Sequence, residues 1–236
     1  MNQMRHSVLI VVNSLLEGGA EKQAVLLSCI LHKRYKVVVL VWNGHQTHQK
    51  HLEALRTHGI AYHLLRGNLI KKSLGILNIL YDRKISIIFS YLLTSNLITG
   101  IVGQVMGIPH TFSGIRSSYL PPRKLHYQRF IHNHLTTHAI VNSYKGYQYL
   151  SARGFRMDNM HVLHNGIENL SPPIVRNFKK RVNILSVGRF DDAKDYFTAL
   201  RSIKILREKR SDFLYTIIGW GGLEQRVQER SRETIR

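Results

Sequence analysis

Arg189 and Lys194 are two residues whose type and spacing could hold an anion. They flank a short acidic turn, Asp191-Asp192, and follow an apolar strand, Val182 to Val187, expected to be buried. Lys194 opens a helix that places Phe197, Leu200, Ile203 and Leu206 on one face, the spacing of an amphipathic helix. A second strand, Phe213 to Ile218, ends in Gly219-Trp220-Gly221-Gly222. Strand, helix and parallel strand form a right-handed crossover unit, which binds ligands beyond the carboxyl ends of its strands. Both cations fall at that end, beside a helix N-terminus that attracts anions. Two fixed cations and backbone N–H groups suit a diphosphate. Singly, Arg189 is equally a surface arginine and Lys194 a solvated helix residue; together in one turn they favour phosphate.

Other candidates lie earlier. Gly18-Gly19 closes a loop, Asn13 to Gly19, between a first strand and a first helix. Two glycines let N–H groups approach an anion with no side chain in the way, or simply serve the turn. Arg116 sits in the loop Ser113 to Ser118 after a strand, on the ligand side of this kind of fold, and is a candidate acceptor contact. The 14 histidines lack metal-ligand spacing with carboxylates or cysteine, so no metal site is expected. His110 and His164 are read as strand ends that could reach the ligand side. Cys29 reads as a core residue rather than a nucleophile.

Those residues need elements to carry them. The chain has 236 residues, 44% of them hydrophobic, enough for one or two domains. Strands are expected at Val8–Val12, Val37–Trp42, Ala61–Leu65, Ile85–Phe89, Ile108–Phe112, Ala139–Asn142 and His161–His164. Helices are expected over about 20–33, in the second half of 45–58, and over 69–81, 95–106, 121–135 and 144–153. This alternation is the signature of a doubly wound α/β domain. From Ile85 to Ile115 no residue carries a formal charge. Ser90, Thr94, Ser95, Asn96, Thr99 and Gln104, together with glycines, interrupt that stretch, so it reads as strand, helix and strand rather than a membrane span. Asn-Gly, Ser-Pro-Pro and a basic run mark a linker. The expected domains are 1–170, a linker 171–181, and a partial second domain 182–236.

Charge is uneven. Residues 1–181 hold 23 Lys/Arg and 6 Asp/Glu, while residues 182–236 hold 11 and 8. A basic first part implies an anionic partner: an anionic membrane face, a lipid-linked phosphate or nucleic acid. The single cysteine fits a reducing compartment, and no signal peptide is expected at the start.

Four separated motifs then agree: Glu17-Gly18-Gly19-Ala20-Glu21; Ile140-Val141-Asn142-Ser143; His164-Asn165-Gly166-Ile167-Glu168; and Val187-Gly188-Arg189 with Lys194 and Ile218-Gly219-Trp220-Gly221 beyond. In order and spacing they resemble family 4 glycosyltransferases, retaining sugar-nucleotide enzymes with two Rossmann-like domains (the GT-B fold). The resemblance implies that Gly18 and Gly19 lie against the donor's phosphates and sugar. It implies that Arg189 and Lys194 grip the diphosphate, with Gly219 a further donor contact. It also implies no metal or other cofactor, the nucleotide sugar being a substrate. Three departures stand out. Ala193-Lys194-Asp195 replaces the usual Glu-Lys-Gly, and Glu168 replaces an Asp. The family's two glutamates eight positions apart are absent: Glu224 meets Arg232. The chain resembles roughly the first two-thirds of such an enzyme, and is read as a fragment, a truncated reading frame or part of a split protein.

The expected function is retaining transfer of a hexose from a nucleotide sugar to a lipid-linked or polysaccharide acceptor, in bacterial surface-polysaccharide assembly. The expected location is cytoplasmic, peripheral on the inner membrane face, held by the basic first domain. Tyr119, Leu120 and Tyr127, among Arg123, Lys124 and Arg129, are candidate membrane contacts. One alternative is an inactive truncated remnant. A nucleic-acid-binding protein is less favoured, since no basic motif with interleaved stacking aromatics is present. The loop Asn13 to Glu21 lacks the Gly-x-Gly-x-x-Gly pattern of a dinucleotide dehydrogenase.

Overall fold

A computed structural model describes residues 6–116, 120–168, 172 and 181–235. The chain forms two compact units, Met1–Leu170 and Ser171–Arg236.

Unit 1 is a seven-stranded parallel sheet. Its strands are β1 (Ser7–Val12), β2 (Lys36–Val41), β3 (Ala61–Leu64), β4 (Ile85–Tyr91), β5 (His110–Ile115), β6 (His138–Val141) and β7 (Met160–Val162). Their spatial order is β3-β2-β1-β4-β5-β6-β7, so the winding reverses between β1 and β4. β1 and β2 are unbroken apolar runs because both of their faces are covered. Helices α1 (Gly19–His32) and α2 (Gln49–Thr57) cover Val8, Ile10, Val12, Val37, Val39 and Val41. On the other face α3 (Leu69–Asp82) and α4 (Leu92–Val105) cover Leu9, Val11, Val38, Leu40 and Ile88. Beyond them come α5 (Pro122–Phe130), a π-helical turn (Ile131–Leu135) and α6 (Tyr144–Ser151).

The uncharged stretch 85–115 is indeed strand, helix and strand. Among the described residues no helix is long and apolar enough to cross a membrane. Its polar residues serve packing. Asn96 donates to Gly114 O and Gln128 Oε1, and Ser90 donates to Asn96 Oδ1. A methyl group on Gly100 or Gly103 would lie 2.8 Å from Leu135 Cβ or 2.6 Å from Thr111 Cγ2, so both glycines permit close helix packing. β5 starts at His110 rather than Ile108, since Pro109 has no N–H to give a ladder.

Unit 2 contains β8 (Val182–Val187), a 3-10 turn (Asp192–Lys194), α7 (Tyr196–Lys209), β9 (Phe213–Ile218) and α8 (Glu224–Ile235). The two strands pair in parallel. Phe190, Tyr196, Leu200 and Val227 form its core. Here one expectation is corrected: β8 is not buried. Leu185 and Val187 are exposed, as are Leu214 and Ile218 of β9. The helices α7 and α8 contribute Leu200 and Val227 to a core on one side only, which leaves the other face of this two-stranded sheet open.

Candidate functional site

In unit 1 the carboxyl ends of the strands gather three of the four motifs. β1 leads into a loop anchored on the β2–α2 connection: Leu15 N donates to Gln46 O, and His48 N to Leu15 O, both at 2.8 Å. The loop delivers Gly18 as the residue before α1, where no side chain caps the first turn. Glu21 fills that role by charge, since a carboxylate near a helix N-terminus is stabilising. It also accepts from Ser14 Oγ. A methyl group on Gly18 would meet the Glu21 carboxylate, whereas one on Gly19 would enter open space.

Beside this turn is a cavity of about 360 Å³ lined by Gly18, Gly19, Lys22, His51 and Glu168, among others. Glu17 pairs with His48 at 3.3 Å on its wall. Burial, then the neighbouring His48, holds the His51 imidazole below its usual range. A larger recess of about 750 Å³ sits at the amino ends of the strands, lined by His6, Lys36, Asp82 and Lys84 among others. It is at the wrong end of the sheet for the usual ligand site of an open α/β fold.

The His164–Glu168 motif closes onto α1. Gln23 Nε2 donates to Gly166 O at 2.9 Å, and Gly166 N donates back to Gln23 Oε1 at 2.8 Å. A side chain on Gly166 would strike Leu26, 2.7 Å away. Arg116, at the end of β5, donates to Asn165 Oδ1. Asn142, after β6, donates to the Arg116 carbonyl at 3.4 Å, and His164 Nδ1 meets the Asn142 carbonyl at 3.2 Å. The Arg116 guanidinium lies 5.5 Å from the centre of the Tyr91 ring. Burial pulls its pKa down, with the Tyr91 phenol acting the other way. Burial pushes the Tyr91 phenol up to about 12, so it stays protonated near neutrality. Leu92 follows at φ 71°, a left-handed conformation that is strained for a branched side chain.

Tyr91, Leu92 and Gln23 escaped the sequence reading. Tyr91 and Leu92 hide in an apolar run, and Gln23 looks like any helix surface residue. Two histidine expectations divide. His164 does reach the carboxyl end of the sheet. His110 does not: it opens β5 at the amino end, exposed, because the strand begins after Pro109. Cys29 packs against the core, and burial raises its thiol pKa. Tyr119 lies outside the described residues. Leu120 is half-buried against the β6–α6 core, while Tyr127 is exposed. Among the described residues no group of three His, Cys, Asp or Glu side chains is placed to hold a metal ion.

In unit 2 the second candidate group forms at the ends of β8 and β9. Gly188 N donates to Ile218 O, and Phe190 N to Trp220 O, carrying the strand pairing past the strand ends. Gly219 must lack a side chain, because a methyl group there would lie 1.9 Å from Gly188 O. Lys194 packs its stem against Gly188: a methyl group on that glycine would sit 3.4 Å from Lys194 Cε. Arg189 pairs with Asp191 at 3.1 Å and is two-thirds exposed. Both cations therefore stand beyond the carboxyl end of β8. The helix opens two residues later than expected, at Tyr196, after the 3-10 turn.

Asp195 stands where the resembled motif has glycine. It adopts φ 46°, the left-handed region, where the usual residue is glycine. Aspartate visits that region more readily than most residues. Its carboxylate also accepts from Thr198 N at 3.3 Å, capping α7.

No family model matches the chain, and no curated protein matches it. Solved structures do. HepE from Anabaena in complex with UDP superposes with TM-score 0.76 at 12% identity, over 97% of this chain and 65% of that one. The lipopolysaccharide outer core galactosyltransferase WaaB gives 0.69 at 16% identity, over 97% and 65%. A glycosyltransferase from Rickettsia africae gives 0.69 at 13%, over 98% and 65%. The chain has the α/β fold of these proteins, built of Rossmann-like units of the GT-B type, and spans about 65% of their length.

Proposed function

We propose that this chain belongs to the family 4 glycosyltransferases and serves transfer of a hexose, with retention, from a nucleotide sugar to a lipid-linked or polysaccharide acceptor in bacterial surface-polysaccharide assembly. The observation that carries the reading is the gathering of Gly18-Gly19, Asn142 and the His164–Glu168 motif at the carboxyl end of one sheet. These segments are far apart in sequence, and Gln23, Arg116 and Asn165 tie them together. That HepE holds UDP in a similar fold supports the donor class.

In this reading an acceptor hydroxyl oxygen bonds to the donor's anomeric carbon. The bond from that carbon to the phosphate oxygen breaks with its electron pair leaving on the nucleoside diphosphate, and the hydroxyl proton passes to the departing phosphate oxygen. Arg189 and Lys194 neutralise that growing charge, so they act most strongly in the transition state. Gly219 keeps the strand end narrow enough for a phosphate to approach backbone. Gly18 and Gly19 present uncapped N–H groups to donor phosphates and sugar. Arg116, held over Tyr91, contacts the acceptor. The reaction needs no metal, and the protein works at the inner face of the cell membrane.

The test is calorimetric titration of the 236-residue protein with UDP and GDP, followed by donor hydrolysis and transfer assays. Binding that is weakened in both Arg189→Ala and Lys194→Ala supports the reading. Binding without transfer identifies an inactive remnant. Affinity for nucleoside diphosphate unchanged in both variants overturns the phosphate grip.

A further inference from the structure

We infer that the outer surface of α3 and α4 is a docking face for an anionic lipid bilayer. The starting observation is that α4 is built inside out. It buries Ser95, Asn96, Thr99, Gly100 and Gly103. It exposes Leu97 (41%), Ile101 (48%) and Val105 (75%), spaced by four residues along one stripe. A surface helix normally shows water its polar face and hides its apolar one. Here the polar face is spent on Ser90, Gly114 and Gln128, and the glycines on close packing, so the aliphatic side chains are left outside.

The helix α3 lies on the same side of the sheet, sharing a core with α4. It adds exposed Ile70 (70%), Leu74 (55%) and Tyr81 (78%). Isolated exposed aliphatics are ordinary, but an exposed apolar stripe on each of two helices over one core marks an interaction surface.

Charge selects the occupant. Residues 69–130 carry eight Lys/Arg and one carboxylate, Asp82. Lys71, on α3, and Arg123 and Lys124, on α5, are exposed. Nucleic acid would satisfy the cations and leave the aliphatic stripes unmatched. A second copy of the chain would match the stripes and set the same cations against each other. An acidic bilayer satisfies both, through headgroups and acyl chains. The contact is interfacial, since α4 has 14 residues and a span needs about 20. The inference deepens the proposed function by naming the surface that meets a membrane-borne acceptor. It rests on that reading for its purpose and on the exposed stripes for its geometry.

The experiment is flotation of the 236-residue protein with vesicles of phosphatidylcholine alone or mixed with phosphatidylglycerol, at two salt concentrations, with UDP titration on the same preparations. Expected is binding to the acidic vesicles, at least tenfold weaker on the neutral ones and weakened by salt. Val105→Asp and Leu74→Asp should each reduce it at least tenfold, with melting temperature unchanged. Wild-type binding in both variants overturns the inference. So does a dimer, seen by light scattering, that Val105→Asp dissolves while vesicles stay unbound. Vesicle binding without UDP binding would remove the donor reading and leave the docking face standing; UDP binding without vesicle binding would do the reverse.

Discussion

Gln23 and Gly166 lie 143 positions apart and clasp each other through two hydrogen bonds, one in each direction. The side chain of one α1 residue thereby fixes the backbone of the His164–Glu168 motif beside the Gly18-Gly19 turn. A methyl group on Gly166 would push against the flexible end of the Leu26 side chain. Gly166→Ala should therefore destabilise unit 1 by about 1 kcal/mol or less, the cost of moving one half-buried leucine methyl. Gln23→Ala should cost about 1 kcal/mol, the pair being solvent-accessible. Urea unfolding with intrinsic fluorescence measures both.

The two glycines of the first loop should separate folding from binding. Gly19 is the first residue of α1, and a methyl group there meets nothing within 4 Å. Gly19→Ala is expected to leave the melting temperature unchanged or slightly raised, because alanine favours helix over glycine. Donor affinity should fall, since the methyl group stands where an anion would reach backbone N–H groups. A melting scan and a UDP-sugar titration on one preparation check it. Gly18→Ala displaces the flexible Glu21 carboxylate and should show a small loss of stability besides.

Arg189 and Lys194 differ in what holds them before a ligand arrives. Arg189 is already paired with Asp191, whereas Lys194 is braced over Gly188. Hydrogen bonds to charged groups contribute about 1.5–3 kcal/mol, so Lys194→Ala should weaken UDP binding roughly tenfold or more. Arg189→Ala should weaken it less, because binding must first release Asp191. Asp191→Asn should tighten binding in a calorimetric titration.

Acid should weaken unit 1. His132 is fully buried, and its Nε2 meets the Arg156 carbonyl at 2.6 Å. A carbonyl only accepts, so Nε2 carries a proton, and the buried Nδ1 has no hydrogen-bond partner to receive a second one. Burial, the dominant effect, holds its pKa below the ordinary value of about 6.5, as it does for His51, His63 and His138. The unfolded chain then binds more protons, so this stability is present above about pH 6.5 and lost as the pH falls toward the folded values. The urea midpoint should drop between pH 7.5 and 5.5, and His132→Gln should show a shallower dependence.

Much of unit 1 was legible because buried parallel strands announce themselves as unbroken apolar runs, and β1 and β2 are such runs after their first residues. The inverted α4 was harder. Its apolar residues were visible in the sequence, but only the hydrogen bonds of Asn96 reveal which side faces inward. His110 was misplaced by a two-residue error in the start of β5, enough to move it to the opposite end of the sheet. Asp195 read as a departure from a glycine pattern. Its left-handed backbone and its cap on α7 could be seen only in three dimensions. Tyr91 carried no signal at all: its partnership with Arg116 depends on β4 and β5 being neighbours.

The open face of unit 2 sets how this protein behaves in a tube. Leu185, Val187, Leu214 and Ile218 present bare aliphatic groups on what is, among the described residues, a two-stranded ribbon, a surface that invites strand-to-strand accretion. Against that stands a chain whose 34 cations outnumber its 14 anions and keep molecules at arm's length in dilute buffer. Added electrolyte shortens the reach of that repulsion while leaving the greasy ribbon as it was. Ionic strength thus governs colloidal lifetime here, and a purification that raises salt to strip nucleic acid also removes the protein's own defence against clumping.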